Sequence, residues 1–275
     1  VIAGYHWFTD WGRDTMIAMR GLIIATGKKE AAKSILRTFL QYLDGGMIPN
    51  RFPDLGEKPE YNTIDATLWL FVALHEYHEQ FHDVEFIRSF FGKLTEIINA
   101  HYAGTRYNIH VTPEGLLYGG QDGTQLTWMD AKVGDYVVTP RIGCPVEINA
   151  LWFNALSVYV SFGNLLGFPV SGYVQKLKDL KSVFRSHFIN EKGYLNDVVI
   201  PGHKADETIR PNQVYAISLP FSPLTNTEAK RVLDVVHQHL YTEYGLRSLS
   251  PFHPDFKPIY TGDQWHRDNA YHQGT

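Results

Sequence analysis

Residues 145–166 read PVEINALWFNALSVYVSFGNLL, from Pro145 to Leu166. Pro145 suits the first turn of a helix, where its missing N–H leaves no bond unmade. The positions after it are apolar nearly all round, and such a helix must be buried on most sides. Residues 63–81 repeat the pattern, with Leu68, Phe71, Val72 and Leu74 inward. Residues 28–43 differ. Ala32, Ile35, Leu36, Phe39, Leu40 and Leu43 keep helical spacing on one stripe and leave a polar face opposite, with Gly45 as the natural stop. Buried helices alternating with amphipathic ones predict an all-α fold, a closed double ring with an inner and an outer layer.

The remaining helices follow by the same reading. Residues 13–25 carry Ile17, Ala18, Leu22 and Ile23 and stop at Gly27. Asp83 caps a helix to about residue 102, Ser171 caps one over 171–188, Pro211 opens a shorter one through 219, and 227–241 is the last. That makes eight helices in adjacent pairs. The loops at 44–61, 104–144, 191–210 and 244–275 are long and rich in Gly, Pro and aromatics, and loops of that length in a compact domain are usually functional. Short strands are expected at 116–120 and 194–200. No internal repeat and no linker is visible, so residues 1–275 read as one domain. The first residue is Val1 and the last residues carry no helix stop, as in a stretch of something longer.

Composition narrows the function. The chain is 44% hydrophobic and 20% charged, enough apolar material for a core. Lys plus Arg is 25 against 29 Asp plus Glu, so no basic excess exists to neutralise nucleic-acid phosphates. No apolar run approaches the roughly 18 residues of a membrane span. The single cysteine, Cys144, excludes an intrachain disulfide and fits a reducing, cytoplasmic setting. Aromatics make up 14%, a share that serves a core or a surface that packs on sugar rings.

Several motifs carry no chemistry. Gly21 to Lys28 resembles a phosphate loop but has five residues between its glycines and Lys29 where Ser or Thr is required. His75, His78 and His82 stand three and four apart on one helix face without the H-E-x-x-H pattern, which reads as a solvated face rather than a metal site. Cys144 before Pro145 reads as an inert small residue rather than a nucleophile.

The signal lies in five polar-aromatic clusters at helix starts or in the loops before them. The first runs from Tyr5 to Asp14 and holds Trp7, Asp10, Trp11 and Arg13. The second is 62–69, with Asp65 and Trp69. The third joins 125–131, with Trp128 and Asp130, to Arg141, Glu147 and Asn149. The fourth is Arg210-Pro-Asn212-Gln213, and the fifth is 265–273, with Asp268, His272 and Gln273. In an antiparallel helical ring every second helix start lies on one rim, so these clusters are expected to share one cup. Each has a plainer reading as well. Arg13 and Asp14 suit an ion pair at a helix start, and Glu147 and Asn149 suit a brace. Polar groups on an otherwise apolar helix need partners, and a polyhydroxylated ligand supplies them.

The strings AGYHWFTDWGRDTM, NTIDATLW, LTWMDA, PVEINALW, RPNQ and RDNAYHQGT, in that order, resemble the C-terminal glucosidase domain of glycogen debranching enzymes. The resemblance implies an (α/α)6 toroid, incomplete here with about eight of twelve helices. It also implies hydrolysis of α-1,6-linked glucose on glycogen or branched α-glucan, with no cofactor or metal. By that likeness Asp130 is the general acid, and Trp7, Asp10, Trp11, Arg13, Asp14, Asp65, Trp69, Trp128, Arg141, Glu147, Asn149, Asn212, Gln213, His272 and Gln273 hold substrate, Arg13 and Asp14 on the outer hydroxyls of the terminal sugar. An inverting glycosidase sets its two carboxyl groups roughly 6.5–9.5 Å apart, and its acid keeps a proton best in apolar surroundings. Trp128, Met129 and Ala131 flank Asp130 in sequence. The resemblance puts the general base beyond Thr275; Glu147 is the internal candidate, with a substrate role as its alternative, and Asp268 ranks below it. A glucoamylase-type or trehalase-type exo-glycosidase on the same toroid, and a non-catalytic carbohydrate-binding relative, remain alternative functions. Oligomeric state is not written in the sequence.

Overall fold

The computed structural model describes residues 10–53 and 58–274. Within them lie nine α-helices: α1 (Gly12–Met19), α2 (Lys29–Gln41), α3 (Ala66–Phe81), α4 (Val84–Ala103), α5 (Val146–Leu166), α6 (Ser171–Phe188), α7 (Tyr215–Ser218), α8 (Asn226–Leu240) and α9 (Gln264–Ala270). The β structure consists of two-residue strands in pairs. No helix among the described residues is long and apolar enough to cross a membrane. The chain forms two compact units, Val1–Val111 with Asn154–Lys178, and Thr112–Phe153 with Asp179–Thr275.

In the first unit α3 is the core helix. Every residue from Ala66 to Leu74 is buried, as all-round apolarity requires. Its neighbours are one-sided. The α2 helix buries Ala32, Leu36, Phe39 and Leu40, and α4 buries Phe86, Ile87, Phe91, Leu94, Ile97 and Ile98. The start of α1 lies tightly against the chain at 49–50. Gly12 donates its N–H to the Asn50 carbonyl at 2.7 Å, and a Cβ there would strike the Pro49 carbonyl oxygen. Gly46 takes φ 79° where a side chain would meet Ala100 on α4.

One carboxylate ties these helices together. Asp83 caps α4 by accepting the Phe86 N–H at 3.1 Å, and it also accepts from Lys33 on α2 at 3.2 Å and the Tyr77 hydroxyl of α3 at 3.0 Å. Lys29 lies 3.0 Å away. Burial alone would raise this carboxyl's pKa, but the Lys29 ammonium, the Phe86 N–H, the Tyr77 hydroxyl and Lys33 outweigh it and hold it well below the usual range.

The second unit is built on the first two turns of α5, where every residue from Val146 to Phe153 is buried. Leu180, Phe184 and Phe188 of α6 and Val232, Val236 and Leu240 of α8 supply further core. Thr225 and Glu228 form a capping box at the start of α8, and Arg185 donates to Glu228 at 2.6 Å. Cys144–Pro145 pairs antiparallel with Val198–Val199, bringing the entry of α5 against the 191–210 loop.

The helices fall where periodicity places them, with four differences. The first helix changes after Met19 into a π turn over Arg20–Ile24 that contains Gly21, and its first residue, Arg20, donates to Glu76 at 2.7 Å. The third begins at Ala66, because Thr63 is engaged with Asp65 just before it. Residues 244–275, expected to be loop, contain α9, which starts at the Asp263 cap and buries only Ala270, so no apolar stripe announces it. The short helix from Pro211 opens as a 3-10 turn, Pro211–Val214, before α7. The expected strands are realised as Leu117–Tyr118 and Val198–Val199. On the histidine face of α3, His75 and His78 are half-buried and His82 is exposed. His78 lies edge-on to Phe162 at 5.6 Å, and His82 adopts φ 51° to close the helix through its N–H to the His78 carbonyl. Among the described residues no group of three His, Cys, Asp or Glu side chains is placed to hold a metal.

Replacing Asp83 with alanine should cost about 1–2 kcal/mol of stability, the usual value of a lost N-cap. Asp83→Asn isolates the charge. The folded pKa lies below the unfolded 3.8, so the stabilisation is full above about pH 4 and is lost as pH falls through the folded value. Urea titrations should therefore show a wide gap between wild type and Asp83→Asn near pH 7 and a narrower one near pH 2.5; a constant gap would contradict the assignment.

Candidate active site

In the second unit three of the five clusters meet around a buried network of charges. Arg141 sends one guanidinium nitrogen to Asp197 and another to Glu147. Glu147 is 1% exposed and Asp197 3%. Arg210 places its Nε 3.7 Å from Asp197 and donates to the carbonyls of Ser248 at 3.1 Å and His272 at 2.8 Å, and to Gln273 Oε1 at 3.0 Å. Two guanidinium groups thus face two carboxylates with no excess charge. Burial would lower the pKa of Arg141, but Asp197 and Glu147 more than reverse that. For Arg210 burial outweighs Asp197 and the pKa falls, yet a guanidinium remains a cation.

Asn212, at the 3-10 turn opened by Pro211, carries the network to the loop that holds Asp130. Its amide nitrogen donates to Asp197 Oδ1 at 2.8 Å and approaches the Met129 sulfur at 3.3 Å, while its oxygen accepts the Trp128 indole N–H at 2.9 Å. The His272 ring meets Trp128 edge-on at 4.9 Å. Gln213 donates to the Arg210 carbonyl at 3.0 Å and accepts the Leu195 N–H, fixing the turn itself.

Asp130 lies just past those gripped side chains and is exposed. Its backbone is held on both sides. The Thr127 hydroxyl accepts the Met129 N–H at 3.3 Å, the Met129 carbonyl accepts from Thr139 at 3.3 Å, and the Ala131 carbonyl accepts the Val138 N–H at 3.1 Å. A hairpin of Lys132–Val133 with Tyr136–Val137 follows. Asp130 is thus exposed although apolar residues flank it in sequence. Met129 is buried in the core and the Trp128 indole is tethered to Asn212.

Several nominated substrate residues prove to be engaged by the protein. Asn149 gives both amide N–H groups to the carbonyls of Leu117 and Pro145 at 3.0 Å and accepts the Leu117 N–H at 2.8 Å. Glu147, the internal candidate for the base, is buried against Arg141, and a guanidinium so close weakens a carboxylate as proton acceptor. Gln273 is held by Arg210 and reaches the Val138 carbonyl. Asp268 is half-buried on α9.

The first unit holds the other two clusters. Asp10–Trp11 pairs antiparallel with Arg51–Phe52, with Asp10 exposed and Trp11 half-buried. Arg13 pairs not with Asp14 but with Asp65, Nε to Oδ2 at 2.7 Å, and Thr63 donates to the other oxygen at 2.7 Å. This joins the start of α1 to the start of α3. Asp14 is half-buried beside it, and the buried Trp69 has the Arg20 guanidinium 5.7 Å from its ring. Trp7 lies outside the described residues. A cleft of about 340 Å³ includes Asp10, Thr15, Phe39, Tyr42 and Phe52.

Sequence reasoning missed Asp197, the acceptor shared by Arg141 and Asn212. It sits away from the Trp-bearing clusters, beside the Val198-Val199 run that reads as a buried strand. Arg210 stood in a recognised cluster but was not nominated.

The family model described as Amylo-alpha-1,6-glucosidase matches residues 1–275, and the chain belongs to that glycoside hydrolase family. Glycogen debranching enzyme of Saccharomyces cerevisiae is 24% identical over 355 aligned residues, covering 96% of this chain and 23% of that protein. The chain therefore spans about a quarter of the length of that curated relative. Among solved structures, GH63 mannosylglycerate hydrolase from Thermus thermophilus in complex with Tris gives a TM-score of 0.66 at 13% identity, over 97% of this chain and 77% of that one. Its complex with glucose gives 0.64 at 14%, over 96% and 77%. A rhamnosidase from Klebsiella oxytoca with rhamnose bound gives 0.59 at 11%, over 83% and 41%. At these identities the likeness is one of fold.

Arg141→Met should destabilise the protein by about 3–5 kcal/mol, because it leaves buried Glu147 without its cation and Asp197 with only the more distant Arg210; a change under about 1 kcal/mol in denaturant titration would show that the ion pairs do not hold the unit together. Cys144 is wholly buried, and that burial, with Glu114 as the lesser cause, pushes its thiol up to about 12. It should resist a disulfide reagent in the native protein and react promptly on unfolding. Rapid native labelling would contradict its placement.

Proposed function

We propose that this member of the amylo-alpha-1,6-glucosidase family contributes the acid side of an inverting, exo-acting glucosidase that releases glucose from α-1,6 branch points of glycogen or limit dextrin. The observation that carries the reading is the placement of Asp130. It is an exposed carboxyl on a loop whose flanking residues are fixed by Asn212, Thr127 and Thr139. An acid that must meet a glycosidic oxygen has to be reachable and held still. The surrounding helices are read as part of an (α/α)6 toroid.

In the reaction the Asp130 carboxyl delivers its proton to the glycosidic oxygen as the C1–O6 bond breaks. Water attacks C1 from the opposite face and gives its own proton to a second carboxylate. The ion pair with Arg141 argues against Glu147 in that second role. We assign the base to the family's segment after the His272-Gln273-Gly274 stretch. The apolar wall that keeps the acid protonated is then supplied by bound sugar. In the first unit Asp14, half-buried beside the braced Arg13, takes sugar hydroxyls with Trp11 as a ring platform, and in the second unit Trp128 offers a ring next to the acid. Asp65, Arg141, Asn149 and Gln273 act on the ligand only through other side chains. No cofactor enters this chemistry, and a cytoplasmic setting suits a glycogen substrate.

In the full-length protein Asp130→Asn should lower glucose release from phosphorylase-trimmed dextrin by at least about 10²–10⁴-fold, the usual contribution of a positioned acid. Because the side chain is exposed, the melting temperature should barely move. Undiminished release would end the assignment. Turnover of α-1,4 glucans or trehalose in preference to α-1,6 stubs would favour a different exo-glycosidase on the same fold.

A further inference from the structure

We infer that Asn212 and Asp197 are positioning residues for the proton donor: Asn212 grips the two side chains that precede Asp130, and Asp197 fixes which way the Asn212 amide faces. The inference rests on Asp130 as the acid.

The chemistry of the partners leaves the amide one orientation. The Trp128 indole N–H is a donor only, and the Asp197 carboxylate is an acceptor only. The Asn212 oxygen must therefore face Trp128, at 2.9 Å, and its nitrogen must face Asp197, at 2.8 Å. The same nitrogen lies 3.3 Å from the Met129 sulfur. Consecutive residues 128 and 129 are thus held by one side chain, and Asp130 is the next residue. No hydroxyl, carboxylate or aliphatic side chain of that size offers both a donor and an acceptor at fixed separation. Asp197 is in turn immobilised by Arg141, which is shared with Glu147, while Arg210 approaches it from the side that carries His272. Asn212 itself is fully buried, so it is not a candidate for direct contact with the sugar. Its effect on the reaction must pass through Trp128 and Met129.

A displacement of about 1 Å at a reacting group can cost on the order of 10² in rate. The loss should be specific to the step that needs the proton. Cleavage of an α-1,6 bond requires protonation of O6 as C1–O6 breaks. In α-glucosyl fluoride the C1–F bond breaks and fluoride leaves as an anion without a proton, while water attack at C1 and proton transfer to the base are unchanged.

The experiment compares both substrates in the full-length protein carrying Asn212→Leu, Trp128→Phe or Asp130→Asn. Trp128→Phe keeps a ring and removes only the N–H, so it decides the matter if Asn212→Leu does not fold. We expect Asn212→Leu to lower kcat on limit dextrin about 100-fold with KM within about threefold, and to slow glucosyl fluoride by less than about fivefold. Trp128→Phe should show the same split at smaller amplitude, and Asp130→Asn the largest split. Equal losses on both substrates at positions 212 and 128, or losses confined to KM, would overturn the positioning role. If Asp130→Asn shows the split and the other two do not, only this inference falls. If Asp130→Asn shows no split, the acid assignment falls and the inference with it.

Discussion

The second unit depends on a guanidinium that is out of water. Arg141 lies between Glu147 at the start of α5 and Asp197 in the 191–210 loop, and all three are buried. Desolvating such groups is unfavourable, and removing any one leaves the others uncompensated. That penalty makes the arrangement specific. Residues 126–131, 195–199, 210–213 and 272–273 lie in or beside long irregular stretches, with little ladder hydrogen bonding to set their positions. The charge network replaces the ladder. Asp197 reaches the Asp130 loop through Asn212, and Arg210 reaches the 272–273 segment through one carbonyl and one side-chain amide.

The first unit uses the same device on a smaller scale. The Arg13–Asp65 pair joins the starts of α1 and α3, and Thr63 completes the carboxylate. At the other end of α3, Asp83 joins it to α2 and α4. In each case a carboxylate at or before a helix N-terminus accepts from side chains far away in sequence. The helix dipole favours an anion there, and the long-range donors turn a local cap into a tie between elements. These ties are also why polar-aromatic clusters at helix starts need not all touch a ligand.

The helices were legible because burial leaves a period in the sequence. The all-round apolarity of α3 and the single stripe of α2 translate directly into what is buried. The turn after Met19 and the polar α9 were not legible, since neither breaks nor makes an apolar stripe. For the site, the argument that Glu147 and Asn149 need partners was sound, but the partners are the protein's own. Asn149 closes on Leu117, thirty-two residues earlier, and Arg141 on Asp197, fifty-six residues later. Pairings over such separations follow from the fold and leave no spacing to read. Asp197 went unnoticed for that reason: its importance comes from what converges on it. Asp130 was found through a family motif, and its apolar sequence neighbours suggested an enclosure, yet it is exposed.

The acid role proposed for Asp130 accounts for the contrast between it and its supports. A proton donor has to stay reachable, so its own carboxyl is a poor point at which to anchor it. Its position has to be imposed from the backbone and from neighbouring side chains. Hydrogen bonds to exposed partners would exchange readily with water and leave the loop loose. Bonds that end on buried charges do not exchange that way, because an alternative partner is absent and a broken bond strands a charge. A costly buried network behind an exposed carboxyl is therefore the arrangement expected where an ångström of drift matters more than the last kilocalorie of stability.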